Sequence, residues 1–314
     1  MGDYILEASA PTLVGRLTLG SRAGYEDGKE FSLTDLEDFL HNVNDVFGKS
    51  NLWIPIPSII NEGKLVVKTG DSRYGEKVYR LDFALSPRAE PISRNSFYET
   101  LCEYGFVLGR ILKQQRVYVD FEGTTYVFKI TDEVGIANED EIRSKAEQYL
   151  TKGRPNWDVP HTLETVRWMQ ELVNAEGGNR QVLVSAMYLH DIGWGGMFDN
   201  QQCNYDTVSA GKKLQAQQSV ERAREILTDL RRPSSEIGHI LSLIGVHDDL
   251  DQVETPYEIL VLEADTLGQL STPQNGNFGT LDYSRFIDHV REERAPKFRT
   301  ATGIRRMDEL LAGK

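Results

Sequence analysis

Apolar positions alternate with polar ones in short runs through the first part of the chain and recur at helical spacing through the rest. TLVGRLTLG (12–20) reads as a strand closed by glycine. In SLTDLEDFLHNVNDVF (32–47), Leu33, Leu36, Phe39, Leu40, Val43 and Val46/Phe47 share a helical stripe behind Ser32, a capping residue type. NLWIPIPSII (51–60) is extended, because its prolines break helix. KLVVKTG and EKVYRLDFAL read as strands, SFYETLCEYGFVLGRIL (96–112) as a helix, and QRVYVDFEGTTYVFKI (115–130) as a hairpin about a Glu-Gly-Thr turn. Strand, helix, strands, helix, hairpin predicts a two-layer α+β domain of ferredoxin-like type. A helix from Asn138 to about Leu150, stopped by Gly153 and Pro155, begins a stretch that is helical throughout. The expected organisation is an α+β domain over 1–135 and an all-α domain over 136–314.

Length agrees with two domains, since 314 residues is long for one. A net charge of −13 disfavours sequence-independent binding to nucleic acid, and with it a nuclease, but leaves room for an anionic small molecule in one cleft. Cys102 and Cys203 lie far apart and neither has a CxxC partner, which disfavours a disulfide framework and a thiolate zinc site. No run reaches the ~18 apolar residues of a membrane span, and MGDYILEASAPTLVG lacks a basic start and apolar run. Leu6 stands where myristoylation expects Ser or Thr. A cytoplasmic protein without a membrane partner is the expectation.

The chemistry is concentrated in the helical part. His190 and Asp191 close the apolar run Val182, Leu183, Val184, Ala186, Met187, Leu189. A carboxylate at the end of a buried segment needs a partner, because its desolvation is costly. Adjacent residues do not share a helix face, so both can reach one point only where the chain leaves the helix, which Gly193, Gly195 and Gly196 permit. A simple buried His–Asp hydrogen bond is the plainer alternative. His161 follows Pro160 at a helix start, where a polar terminus residue would also serve. Asp265 lies inside the almost continuous apolar helix YEILVLEADTLGQL, where a metal or a paired arginine would offset its burial. Imidazoles and carboxylates drawn from separate helices suggest a divalent metal site with His161, His190, Asp191 and Asp265 as ligands. The donor set favours Mn, Fe, Co, Ni or Mg over tetrahedral structural zinc.

The ordered segments HTLETVRWMQEL, LVSAMYLHDIGWG, SVERAREIL, IGHILSLIGVHDDL and EILVLEADTLGQL resemble the HD superfamily of metal-dependent phosphohydrolases over residues 155–314. The resemblance implies hydrolysis of a small, nucleotide-like phosphate ester or anhydride by metal-activated water. It implies that Asp191 both ligates the metal and orients the water. It gives His247 a role towards a second metal or a substrate phosphate; a core-edge helix cap is the alternative. Two departures matter. Gln215 and its neighbours stand where two-metal members offer a histidine, so one tightly bound ion is expected. Ile192 to Gly196 supply no Glu or Lys, which leaves the general acid open among Asp199, His247 and Asp248 and feeds a second reading, a non-catalytic metal- or nucleotide-binding regulatory module with the N-terminal domain as its output or assembly part. Lys212, Lys213, Arg285, Arg299, Arg305 and Arg306 are candidates for an anion clamp. Asp248, Asp249, His41 and His289 are expected to be solvated or capping, and His239 to have no metal role.

Overall fold

A computed structural model describes residues 13–22, 28–50, 52–69, 72–85, 92–130, 136–198, 203–273 and 280–312. The chain divides into two compact units, 1–132 and 133–314, each with its own core.

The first unit runs β1 (Val14–Gly20), α1 (Leu33–Lys49), β2 (Ser58–Thr69), β3 (Ser72–Ala84), α2 (Arg94–Ile111), β4 (Arg116–Phe121) and β5 (Thr124–Lys129). The sheet order is β2-β3-β1-β4-β5, and each neighbouring pair is antiparallel. This is the ferredoxin-like βαββαβ arrangement with one further hairpin strand at an edge. Leu17, Leu19, Leu81, Phe83, Val117 and Val119 meet Phe97, Leu101, Tyr104 and Leu108 of α2 in the core. Ser32 caps α1 in a reciprocal box with Asp35. The α1 stripe is narrower than the periodicity implies: Leu36, Leu40, Val43 and Phe47 are buried, whereas Leu33 and Val46 face outward. Ser58 to Thr69 form one strand across Asn61-Glu62-Gly63, because β3 pairs with it along its whole length. Glu122 and Gly123, both at positive φ, make the tight turn of β4–β5.

The second unit holds, among the described residues, only helices and turns: α3 (Glu139–Leu150), α4 (Asp158–Glu176), α5 (Arg180–Leu189), α6 (Tyr205–Asp229), α7 (Ser234–Val246), α8 (Pro256–Ser271), α9 (Thr280–His289) and α10 (Ala301–Leu311). A 3-10 turn, Ile192–Trp194, follows α5, and a π turn, Val290–Arg294, follows α9. Asn138 adopts the left-handed conformation and caps α3 without a side-chain bond. Helix α4 starts at Asp158, before His161, and its core face is Val166, Trp168, Met169 and Leu172; Leu163 is exposed and Val173 only half-buried. Helix α5 ends at Leu189, short of the glycines, and α6 begins well before Gln215. Every residue of α5 from Val182 to Leu189 is buried, as is α8 from Leu260 to Gly268, so these two helices form the middle of the unit. Among the described residues no helix is long and apolar enough to cross a membrane.

Candidate metal centre

Four of the five helix positions singled out in the sequence meet at one point, with the fifth beside them. His161 projects from α4, His190 caps the end of α5, Asp191 leads into the 3-10 turn and Asp265 projects from α8; all four are at most 4% exposed. The chain turns out of α5 between His190 (φ −62°, ψ −36°) and Asp191 (φ −106°, ψ 3°), so adjacent side chains face the same space.

Two glycines permit these approaches. A Cβ at Gly268 would lie 2.3 Å from Thr165 Oγ1, so α4 and α8 cross closely enough to bring His161 to Asp265. A Cβ at Gly193 would lie 2.0 Å from the Gln215 carbonyl oxygen, which is backbone and cannot move aside cheaply. Gly193→Ala is therefore expected to push the His190–Asp191 turn off α6 at a cost of about 1–3 kcal/mol or more. A chemical denaturation midpoint equal to wild type would refute that.

His161 Nε2 lies 3.3 Å from His190 Nε2, 3.5 Å from Asp191 Oδ2 and 3.0 Å from Asp265 Oδ1. His190 Nε2 lies 3.4 Å from Asp191 Oδ2 and 3.5 Å from Asp265 Oδ1. Ligands about 2.0–2.2 Å from one ion sit roughly 3.0–3.5 Å from their neighbours. His161, His190 and Asp191 offer atoms that all fall within 4.8 Å of one another, a group that could hold a metal ion, and Asp265 adjoins it through the two imidazoles. The donors are also prepared chemically. His190 Nδ1 donates to the Met187 carbonyl at 2.7 Å, which leaves the Nε2 lone pair for the centre. Asp265 Oδ1 is buried and makes no well-aligned hydrogen bond.

The electrostatics ask for a cation. Burial works against charge at His190, but the Asp191 and Asp265 carboxylates outweigh it and raise its pKa to about 9. At His161 burial prevails over Asp265 and lowers the pKa. Burial opposes ionisation of Asp265 and Asp191, yet Arg294 with the two imidazoles, and His190 with Arg154, hold them below the usual carboxylate range.

Two arginines that the sequence did not mark, Arg294 buried and Arg154 nearly so, serve the carboxylates. Arg154 Nη2 donates to Asp191 Oδ2 at 2.5 Å, and its Nε to Asp158 Oδ1 at 2.6 Å, with its guanidinium over the Trp194 ring. Arg294 Nη2 donates to Asp265 Oδ2 at 2.7 Å. The arginine partner of Asp265, open as an alternative from the sequence, is thus present on one oxygen while the other faces the imidazoles. Asp158, fully buried, has its pKa raised to about 7 by burial against the pull of Arg154.

His247, the C-cap of α7, adjoins this group: its Nδ1 donates to the Ile244 carbonyl at 2.7 Å, and its Nε2 lies 3.9 Å from Asp191 Oδ1. Asp248 is not a solvated residue. It pairs with Lys212 and Arg294, each at 3.1 Å, and although burial opposes its charge, these cations and His247 hold its pKa far down. Asp249 is exposed, as expected. Asp199 lies outside the described residues. Gln215 turns its amide nitrogen inward, to the His190 carbonyl (2.7 Å), Ser219 Oγ (3.0 Å) and Asp191 Oδ1 (3.2 Å). Trp194 Nε1 donates to that same Asp191 oxygen at 3.1 Å.

A cleft open to solvent leads down to Asp191, His247 and Asp265. Trp157, Tyr205 and Phe286 give it apolar surface, and Arg154, Lys212 and His289 give it positive or polar groups. His289 is therefore a cleft residue paired with Glu293 at 3.3 Å, rather than a solvated one. Of the other cations considered for an anion clamp, Arg285 pairs with Asp206, Arg305 with Glu309, and Arg306 with Glu171 and Glu309, while Arg299 donates to backbone carbonyls. His239 stacks on Tyr257, away from the centre.

No protein-family model and no curated protein matches the chain. Two solved structures align loosely: a phage SAM lyase in complex with S-methyl-5'-thioadenosine, at 14% identity and TM-score 0.32, and a phage SAM lyase in the apo state, at 18% identity and TM-score 0.30. They cover 42% and 41% of this chain, and 99% and 98% of their own. Agreement that low bears on neither the fold nor the activity of this chain.

Proposed function

We propose that the helical unit is a metal-dependent phosphohydrolase of the HD type, acting on a small, nucleotide-like phosphate ester or anhydride. The observation that carries this reading is the buried group whose two carboxylates, Asp191 and Asp265, line the cleft: two imidazole nitrogens and two carboxylate oxygens, five of whose separations are 3.0–3.5 Å. His161, His190, Asp191 and Asp265 would hold the ion. The mixed N and O set suits Mn, Fe, Co, Ni or Mg. Such an ion supplies Lewis acidity towards water and towards a phosphoryl oxygen.

The chain's own groups suit an anionic substrate. Asp158, Asp191, Asp248 and Asp265 are opposed by Arg154, Arg294 and Lys212, so with all four carboxylates ionised and both imidazoles neutral, as metal ligation requires, the site carries one surplus negative charge. A divalent cation reverses that sign and leaves the cleft floor attractive to phosphate. Lys212, at the cleft wall, is the cation best placed to meet phosphate oxygens, and Trp157, Tyr205 and Phe286 offer apolar surface to an aromatic group. His247 Nε2, with Nδ1 held by Ile244, faces the cleft as the group that accepts or returns a proton.

The test is phosphate release from nucleotides, cyclic dinucleotides and general phosphatase substrates, with each divalent ion in turn. Turnover that requires the ion and disappears with chelator is expected. One observation favours the regulatory alternative: residue 194, in the turn after His190-Asp191, is an indole that donates to Asp191 and offers no acid. Retained metal and bound nucleotide, with no turnover of any substrate class, would establish that reading instead.

A further inference from the structure

Arg294 is 1% exposed, and a guanidinium so deeply placed needs partners for all its donors. Its partners all come from the surroundings of the centre. Nε donates to Thr266 Oγ1 at 2.7 Å, Nη2 to Asp265 Oδ2 at 2.7 Å and Nη1 to Asp248 Oδ1 at 3.1 Å. Asp248 Oδ1 also accepts from Lys212 Nζ at 3.1 Å, and Asp248 Oδ2 lies 3.6 Å from His247 Nε2. A continuous run of ion pairs therefore leads from Lys212 in the cleft wall, through Asp248 and Arg294, to Asp265. The backbone arranges this with the π turn Val290–Arg294, which buries Val290 and Arg294 together; such turns are frequent at functional sites. A planar guanidinium can bridge two carboxylates in fixed geometry, which an ammonium cannot.

We propose that Arg294 is a positioning residue of the centre: by bridging Asp265 Oδ2 and Asp248 Oδ1, it leaves Asp265 a single oxygen to offer a divalent cation and ties that ligand to the His247–Asp248 wall of the cleft. This rests on the metal-centre reading above. Two effects oppose each other. The positive charge of Arg294 repels an ion, whereas the fixed carboxylate presents its oxygen without reorganisation. Loss of an outer hydrogen-bond partner of a ligand costs about 10–100-fold in metal affinity, so orientation outweighs repulsion. Arg154 is not equivalent, because it meets Asp191 on Oδ2, the oxygen that itself faces the imidazoles.

The probe is Mn²⁺, titrated into the chelator-stripped full-length chain and read by electron paramagnetic resonance, at a temperature where the metal-free variants are folded. Arg294→Met is expected to weaken Mn²⁺ binding by about 10–100-fold, and Arg294→Lys to restore part of the loss. Asp248→Asn should cost less in the Arg294→Met background than in wild type, because it acts through the same bridge. If Arg294→Met does not fold, Arg294→Lys and Thr266→Val loosen the same guanidinium, and each should weaken Mn²⁺ several-fold. A residue with a merely structural role would lower the metal-free melting temperature and leave Mn²⁺ affinity unchanged. Unchanged affinity in the folded variants, beside a wild type that binds Mn²⁺, overturns this inference alone. A wild type that binds no Mn²⁺ overturns the metal-centre reading, and this inference with it.

Discussion

Asp191→Ala is expected to strip the protein of retained metal and to reduce phosphate release to the level of the chelated protein, whereas Asp249→Ala leaves both near wild type. Asp191 is 4% exposed, and its Oδ2 lies within 3.5 Å of both imidazole nitrogens. Asp249 is exposed, and its carboxylate accepts from the Gln252 amide. Removal of Asp191 also leaves Arg154 buried with Asp158 alone, and breaking a buried pair on one side costs about 3–5 kcal/mol. Asp191→Asn separates the two effects. It keeps the shape and an oxygen but not the charge, so it should lose metal with less damage to folding. Elemental analysis after dialysis, beside circular dichroism, measures both. Equal metal content in wild type and the folded Asp191→Asn protein would remove Asp191 from the ligand set.

What the sequence makes legible follows from where burial and periodicity coincide. His190 and Asp191 end the apolar run of α5, His247 ends the stripe Ile237, Ile240, Leu241, Ile244 on α7, and Asp265 interrupts an apolar helix. Each is a polar group at a position whose neighbours are buried, and each demands a partner. The β1-α1-β2-β3-α2-β4 order was legible for the same reason, since alternation and helical stripes are local. The joining of β2 into one strand was not, because it depends on the partner strand β3. The arginines were hidden differently. Arg294 sits in the charged run REER, which reads as solvated surface. The available signal was its spacing: Phe286, Val290 and Arg294 recur every four residues, and the first two are buried. Arg154 precedes α4, where no helical period applies, and only its four-residue spacing to Asp158 hinted at a pair. The cleft position of His289 and the ion pairs of Asp248 depend on how α6, α7 and the α9 end meet, which no single segment encodes.

One tightly held ion per chain is expected, and His247→Ala should spare it while lowering turnover by about 10²-fold or more. A second ion beside the first would need the outer oxygen of Asp191 and further donors. That oxygen, Oδ1, already accepts from Trp194 Nε1 at 3.1 Å and Gln215 Nε2 at 3.2 Å. The Gln215 amide cannot turn over to present its oxygen instead, because its nitrogen also donates to the His190 carbonyl and would be replaced there by a repelling acceptor. An amide oxygen is in any case a weaker ligand for a transition ion than imidazole. A second ion would be left with His247 and water and would exchange readily. His247 Nε2 is therefore available to substrate or water, while its Nδ1 bond to Ile244 keeps the ring in place. Elemental analysis after extensive dialysis, on wild type and His247→Ala, tests both halves of this account. Two ions per chain, both lost on chelation and both needed for activity, would show that Trp194 and Gln215 do not close the Asp191 oxygen; loss of the single ion in His247→Ala would instead make His247 one of its ligands.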